Sequence, residues 1–153
     1  MCNTATLNII NICDHLSSVH PELDRNLLLA GAFFHDIGKI KEFEMSSVKI
    51  DISHQGMLEG HVVIGHNILS EKIKSIEDFP EKLKFKLLHI ILSHHGKPEN
   101  GSAKKPMLPE AVAIHYADEC DAKVDLFLRL KREANTEDSW LWDKKIKGHI
   151  YLK

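Results

Sequence analysis

Histidine and aspartate residues dominate the middle of this sequence, and they are its best candidates for chemistry. The 153 residues contain 11 histidines, roughly three times the share expected of an ordinary domain. Eight of these lie between His35 and His115, mostly at predicted helix ends. Imidazole nitrogen combined with carboxylate oxygen, without thiolate, suits Mn²⁺, Fe or Zn²⁺, and also Mg²⁺ where carboxylates dominate. This combination predicts a metal site.

The adjacent pair His35-Asp36 is the first candidate. Neighbouring residues of a helix point about 100° apart, so both side chains reach one ion only where the helix ends. Gly38 favours such an end. In isolation, the pair is more often a core histidine beside an aspartate that pairs with Lys39 on the surface. The flanking residues, Phe33-Phe34 before the pair and Ile37-Gly38-Lys39 after it, make the functional interpretation the stronger one.

The remaining candidates follow along the chain as His61, then His94-His95, then Asp118. Each also has an ordinary explanation. Two histidines that end a helix interact favourably with its dipole, worth about 0.3–1 kcal/mol. A lone histidine on an apolar helix face, such as His61, is more often a core residue. Asp118 alone could be a solvated carboxylate, so the argument depends on the set and its order.

The dominant hydrophobic period along the chain is helical, which predicts one all-α domain with a bundle of about five to six helices. A proline at the first turn and a glycine after the last turn mark several boundaries. The first predicted helix ends near Ser17-Ser18. The others run from about Pro21 to Asp36, Met57 to Lys74, Pro80 to His94 and Pro109 to Glu133.

Two segments between the predicted helices are expected to be loops. Residues 40–55 contain the alternating Val48, Ile50 and Ile52, but no partner strand of similar quality, so a loop is predicted. Residues 96–108 are rich in glycine, proline and lysine, and could close over a site. We assign residues 1–134 to the helical domain and expect the tail, residues 135–153, to dock on the bundle.

Composition and charge exclude several classes of protein. Twenty basic against 22 acidic residues give a net charge of -2, unlike a protein that holds nucleic acid by bulk positive charge. No apolar run approaches the roughly 20 residues needed to cross a bilayer, and the N-terminus is unlike a signal peptide. The three cysteines form no C-x-x-C pair, which fits a reducing compartment. We therefore expect a cytoplasmic protein without a membrane span.

The motifs around these histidines and aspartates resemble those of the HD superfamily of metal-dependent phosphohydrolases. More narrowly, they are similar to the catalytic domain of YhaM-type 3'→5' exoribonucleases. The resemblance covers nearly the whole chain. The motifs that carry it are Phe34-His35-Asp36-Ile37-Gly38-Lys39, Gly60-His61 with Gly65, Ser93-His94-His95-Gly96, Gly101-Ser102, Pro109-Glu110-Ala111, Ile114-His115-Tyr116-Ala117-Asp118 and Asp121-Ala122-Lys123.

The resemblance implies a site for one or two divalent ions, Mn²⁺ first, with Fe, Zn²⁺ or Mg²⁺ as alternatives. It implies catalysis by water activation at a phosphate ester, with Asp36 bridging the two ions and Lys39 as a clamp on phosphate oxygens. The substrate would be RNA or another nucleotide or phosphate ester, and a homo-oligomer is compatible with it. The implied ligands are His35, Asp36 and Asp118 for one ion and His61, His94 and His95 for the second, with His115 and Asp121 beside them as supporting residues.

The chain departs from the family pattern at its first helix. Ala5 stands where the family has a further histidine ligand, and no segment matches the N-terminal OB-type domain that grips single-stranded nucleic acid. A water could replace the missing imidazole, or the site could be inert. The alternative function is therefore a truncated or degenerate domain that binds a nucleotide or a partner without turnover.

Overall fold

The computed structural model describes residues 2–45 and 49–153. Apart from two short antiparallel strand pairs, these residues form helices and their connections, which confirms the predicted all-α bundle. The helices are α1 (Cys2–Val19), α2 (Arg25–Phe34), α3 (Lys39–Glu42), α4 (His54–Lys74), α5 (Glu81–Ser93) and α6 (Pro109–Glu133). The strands are β1 (Phe43–Met45), β2 (Ile50–Ile52), β3 (Trp140–Asp143) and β4 (Gly148–Tyr151).

The chain divides into two compact units, residues 1–118 and Glu119–Lys153, and α6 runs through the division. The first unit contains α1 to α5, the β1–β2 pair and the start of α6. The second contains the rest of α6 and the β3–β4 pair. The boundary after residue 134 and the docking of the tail on the bundle stay predictions. In the described part of the chain, no helix has the length and apolarity to span a membrane.

Apolar side chains from α1, α2, α4, α5 and α6 form the core of the first unit. Gly31 lets α2 approach closely: a Cβ atom there would lie 2.7 Å from Cδ1 of Ile114 and 2.8 Å from Cδ1 of Ile90. This packing holds the C-terminal end of α2 against α5 and α6. The residues with the largest fully buried side chains in this core include Ile9, Cys13, Leu27, Leu28, Ile90, Ile91 and Ile114.

Helix α2 begins later than predicted, because Asp24 and not Pro21 starts it. The Asp24 carboxylate accepts a hydrogen bond from the backbone N–H of Leu27 at 3.1 Å, which caps the helix. The backbone N–H of Asp24 in turn donates to Oε1 of the buried Glu110 at 2.9 Å. The helix ends at Phe34, so the predicted boundaries from Pro21 to Asp36 were too wide.

The prediction of a loop over residues 40–55 was wrong. Besides α3, this stretch contains the antiparallel pair β1–β2, whose register joins Phe43 to Ile52 and Met45 to Ile50. The partner strand lies within the same stretch and is only three residues long, which is why the sequence pattern missed it. Val48 lies outside the described residues.

The other helices agree with the predicted boundaries within three residues. The segment from Gly96 to Leu108 is a loop that contains one 3₁₀ turn, Pro98–Asn100. Hydrogen bonds tie it to the end of α5, since the backbone N–H of Lys104 donates to the carbonyl oxygen of Leu92 at 3.1 Å. That this loop closes over a site stays a prediction.

Candidate metal site

The turn after α2 carries His35 and Asp36 and is pressed against α4 through Gly38. The sequence predicted that Gly38 ends α2, but α2 already ends at Phe34, and Gly38 has a helical φ of -64°. Instead, a Cβ atom at Gly38 would lie 1.9 Å from the carbonyl oxygen of His61 and 2.6 Å from the backbone nitrogen of Gly65. Only glycine allows the two backbones to approach this closely, and their approach brings Asp36 beside His61.

A kink in α4 places His61 at the start of a new helical segment. Gly60 has φ 70° and ψ 156°, which interrupts the helix, and this conformation favours glycine. One carboxylate oxygen of Glu42, Oε1, then accepts two hydrogen bonds from His61: from the backbone N–H at 2.9 Å and from ring Nδ1 at 3.0 Å. Glu42 therefore both caps the second segment of α4 and fixes the ring of His61.

The C-terminal end of α5 supplies His94 and His95. Nδ1 of His94 donates to the carbonyl oxygen of Ile91 at 2.7 Å, within the last turn of the helix. Nδ1 of His95 donates to the carbonyl oxygen of Asn100 at 2.7 Å, in the 3₁₀ turn that follows. Both rings are thus oriented by main-chain oxygens.

These elements bring four predicted ligand residues together. One potential ligand atom from each of them lies within 4.8 Å of those of the other three. Oδ1 of Asp36 lies 3.6 Å from Nε2 of His61 and 3.8 Å from Nε2 of His94. Nε2 of His61 lies 3.0 Å from Nε2 of His95. We call this set the four-residue cluster: Asp36, His61, His94 and His95.

The hydrogen bonds of these rings fix which nitrogen can bind a metal. A carbonyl or carboxylate oxygen can only accept, so Nδ1 carries the proton in His61, His94 and His95, and a neutral ring then offers its lone pair at Nε2. Lone pairs of His61 and His95 that face each other at 3.0 Å repel unless a proton or a cation lies between them. The donor set therefore fits a divalent cation.

Comparison with known proteins agrees with this donor set. The family model for the HD domain matches residues 4–123. The chain belongs to the HD-domain family. Curated relatives carry the name 3'-5' exoribonuclease YhaM: the Bacillus subtilis protein is 39% identical over 123 residues, 80% of this chain and 38% of the relative. The Bacillus velezensis protein is 40% identical over 118 residues, 77% of this chain and 37% of the relative.

The chain spans less than two fifths of the length of these curated relatives. A third relative with the same name, from Bacillus licheniformis, is 38% identical over 123 residues, 80% of this chain and 38% of the relative. No solved structure matches the chain.

Two buried nitrogen atoms in this HD domain lack hydrogen-bond partners. Among the described residues, Nε2 of His35 and Nε2 of His94 are the buried side-chain atoms without one. Nε2 of His35 lies 3.4 Å from Oδ2 of Asp36, and Nδ1 of His35 donates to the carbonyl oxygen of Ala32 at 2.7 Å. A buried polar atom without a partner is costly, so each nitrogen is a candidate for a ligand that completes it.

The pKa shifts show where the HD domain attracts positive charge. Burial, and then the charges of His95 and His35, lower the pKa of His94 to about 3, so its ring is neutral. Burial also lowers the pKa of His35, but contact with Asp36 and the charges of Asp36 and Asp118 outweigh burial and raise it. The carboxylates that favour a proton on His35 would equally favour a metal cation there.

The Asp36 carboxylate is held in its charged form. Burial would raise its pKa, but the neighbouring His35 and the Lys39 ammonium outweigh burial, and the pKa lies below its ordinary value. Nζ of Lys39 lies 2.5 Å from Oδ2 of Asp36, and about a third of the Lys39 side chain is exposed. Asp36 therefore meets His35 and Lys39 with one oxygen, and His61 and His94 with the other.

Five predicted residues lie outside the four-residue cluster. His35 and Lys39 contact Asp36, as described above, and the other three are on α6. Asp118, half-buried on α6, is close enough to His35 to raise the pKa of that ring. His115 donates from Nδ1 to the carbonyl oxygen of His94 at 2.8 Å, so it contacts the main chain of a predicted ligand. Asp121 follows Asp118 by three residues on α6 and belongs to the second unit.

The sequence analysis missed Glu42 and the main-chain oxygen of Asn100, which orient His61 and His95. The only sequence signal for Glu42 is an acidic residue shortly after the His-Asp pair, in a stretch predicted to be a loop. A carbonyl oxygen has no sequence signal at all. Such supporting groups become visible only when the fold places them.

Proposed function

We propose that this chain is a divalent-metal-dependent phosphodiesterase domain that hydrolyses RNA from the 3' end. The observation that carries the proposal is the convergence of three imidazole Nε2 atoms on the Asp36 carboxylate, each ring oriented through Nδ1. Membership of the HD-domain family and the name of the curated relatives support the reaction class and the substrate.

The four-residue cluster would hold one divalent ion, with Mn²⁺ as the first candidate and Fe, Zn²⁺ or Mg²⁺ as alternatives. When bound, the ion supplies Lewis-acid activation of a water and neutralises charge at the phosphate. A second ion would use His35 and Asp118. The support for Asp36 as a bridge is that its two oxygens face different histidines, His35 through Oδ2 and His61 through Oδ1.

The chain's own residues would do the positioning. Glu42 keeps the His61 ring in one tautomer and one orientation, which prepares Nε2 as a ligand. Lys39 would bind non-bridging phosphate oxygens, since its ammonium lies at the Asp36 carboxylate and about a third of its side chain is exposed. His115 and Asp121 are proposed as supporting residues. Homo-oligomerisation and a cytoplasmic location stay predictions from the sequence.

Metal content and hydrolysis of a short oligoribonucleotide test the proposal together. We expect bound metal, measured by elemental mass spectrometry on untagged protein, and Mn²⁺-dependent release of nucleotides from the 3' end of a 5'-labelled RNA. Asp36→Ala should lose both. The matched control is Asp51→Ala, which removes an exposed carboxylate on β2 that pairs with Lys49 and should keep both. Hydrolysis that is unchanged in Asp36→Ala would refute the mechanism, and hydrolysis of free nucleotides alone would reject RNA as the substrate.

A second candidate function, a binding module without turnover, is favoured by Ala5. The side chain of Ala5 is exposed. Ala5 lies on the same face of α1 as the buried Ile9 and Cys13, which follow it at four-residue steps. A histidine at this position would thus lie on the stripe that α1 presents to the bundle. If Ala5→His raises the metal content and starts hydrolysis in an otherwise inactive chain, the module interpretation holds for the natural sequence. Hydrolysis by the unaltered chain excludes it.

A further inference from the structure

The C-terminal hairpin carries four aromatic rings on one face. The strands β3 and β4 pair so that Trp140 lies opposite Tyr151 and Trp142 lies opposite His149. Side chains alternate between the faces of a strand, and opposed residues share a face, so all four rings lie together. The ring centroids are 5.1 Å apart for Trp140 and Tyr151, and 5.0 Å apart for Trp142 and His149.

This aromatic face is open to solvent. Trp140, Trp142 and Tyr151 are 59%, 56% and 55% exposed, and His149 is exposed as well. The other face of the hairpin contains Ile150, which is only 3% exposed. The hairpin thus buries its aliphatic side and leaves the larger aromatic surface uncovered. An exposed cluster of large aromatic side chains is unusual unless it binds something.

The hairpin is also the basic end of an otherwise slightly acidic chain. Residues 140–153 contain four lysines and one aspartate, a net charge of +3, whereas the whole chain has -2. Three of the lysines, Lys144, Lys145 and Lys147, lie exposed in the turn between the strands. The single aspartate, Asp143, is engaged locally, because its Oδ1 accepts hydrogen bonds from the backbone N–H groups of Lys145 and Ile146.

We propose that this aromatic face binds single-stranded RNA. Bases of any sequence stack on aromatic rings, and lysines beside the rings attract the phosphate backbone, which is how sequence-independent single-strand binding surfaces work. A protein partner of acidic character would explain the lysines but not four exposed aromatic rings on one face. The hairpin lies beyond the region matched by the family model, residues 4–123. The choice of RNA over DNA rests on the proposed function.

Tryptophan fluorescence provides a direct test, because both tryptophans of the chain belong to this face. The full chain is titrated in EDTA with a 12-nucleotide oligouridine, so that binding is measured without hydrolysis. We expect quenching of the tryptophan emission, and a matching affinity from the fluorescence anisotropy of the labelled oligonucleotide. The affinity should fall as salt increases, since up to four lysines contribute to phosphate binding.

Variants separate stacking from charge. Trp142→Ala should weaken binding by about 5- to 150-fold, and Trp142→Phe by much less, because a ring remains. Lys144→Glu combined with Lys145→Glu should abolish binding at moderate salt. The matched controls on α5 are Phe85→Ala, which removes another exposed ring, and Lys82→Glu. Both should leave the affinity unchanged, and circular dichroism checks that every variant is folded.

Five outcomes would overturn the inference. Four are absence of binding, binding without quenching, equal binding of duplex RNA, and tighter binding of oligodeoxythymidine than of oligouridine. The fifth is a concentration-dependent shift of tryptophan emission with dimer formation, which would show that a second copy covers the face instead. Because the assay contains EDTA, its result is independent of turnover. Binding without any hydrolysis in Mn²⁺ would refute the proposed function alone, and hydrolysis without stacking would refute this inference alone.

Discussion

Replacing Glu42 by alanine should reduce the affinity of the four-residue cluster for a divalent metal. Oε1 of Glu42 is the acceptor for both His61 hydrogen bonds, at 2.9 Å from the backbone nitrogen and 3.0 Å from Nδ1. The side chains of Glu42 and His61 are each only 14% exposed, so water replaces the carboxylate poorly. In Glu42→Ala, the His61 ring loses its fixed tautomer and orientation.

The size of the effect follows from two independent considerations. A hydrogen bond to a charged group contributes about 1.5–3 kcal/mol, and loss of the partner of a metal-binding histidine costs roughly 10–100-fold in metal affinity, about 1.4–2.7 kcal/mol. We therefore expect Mn²⁺ binding to weaken by about 10–100-fold. Glu42→Gln keeps an acceptor oxygen but loses the charge, so its Mn²⁺ affinity should lie between that of Glu42→Ala and that of the unaltered chain.

Isothermal titration of Mn²⁺ into metal-free protein measures this change. The matched control is Glu44→Ala, two residues later on β1, where the carboxylate is exposed and affinity should be unaltered. A Glu42→Ala protein that is folded and binds Mn²⁺ within twofold of the unaltered chain would refute the reasoning. It would mean that His61 is either held by other groups or does not bind the metal.

Three further predictions concern stability and reactivity. Gly38→Ala should lower the Tm by roughly 2 to 12 °C in calorimetry, because its Cβ would lie 1.9 Å from a backbone oxygen. The control is Gly148→Ala, whose Cβ would lie 3.7 Å from the nearest atom. Equal Tm values for the two variants would contradict the packing argument. Iodoacetamide at pH 8 should modify the exposed Cys120 but not Cys13, since burial raises the Cys13 thiol pKa to about 12 and keeps the thiol protonated. Peptide mass mapping locates the modified residue. Modification of Cys13 in the native protein would contradict its burial. Mn²⁺ at about 100 times its Kd should stabilise the chain by about 2.7 kcal/mol and raise the Tm, and Asp36→Asn should remove that response; a response that persists would show binding elsewhere.

The sequence predicted the boundaries of α4, α5 and α6 to within three residues at each end. These helices are long, with 21, 13 and 25 residues, and a proline precedes α5 and begins α6. The predicted start of α2 at Pro21 was wrong because Asp24 caps the helix instead. Its carboxylate accepts a hydrogen bond from the Leu27 N–H, and its own backbone N–H donates to Glu110 of α6. The β1–β2 pair was not predicted because each strand is three residues long. A strand this short does not let alternation of apolar residues be distinguished from chance.

The residue types of the site were readable from the sequence, but its geometry depends on two glycines whose roles were not. Gly38 was interpreted as a helix terminator, yet its conformation is helical and its function is the contact with the His61 carbonyl. Gly60 carries the positive φ, and its kink frees the His61 N–H for Glu42. A single sequence shows that a glycine is present but not whether it serves a turn or a close approach. A close approach depends on which segment packs against the glycine. The alignment of His61 with Asp36 depends on the same packing.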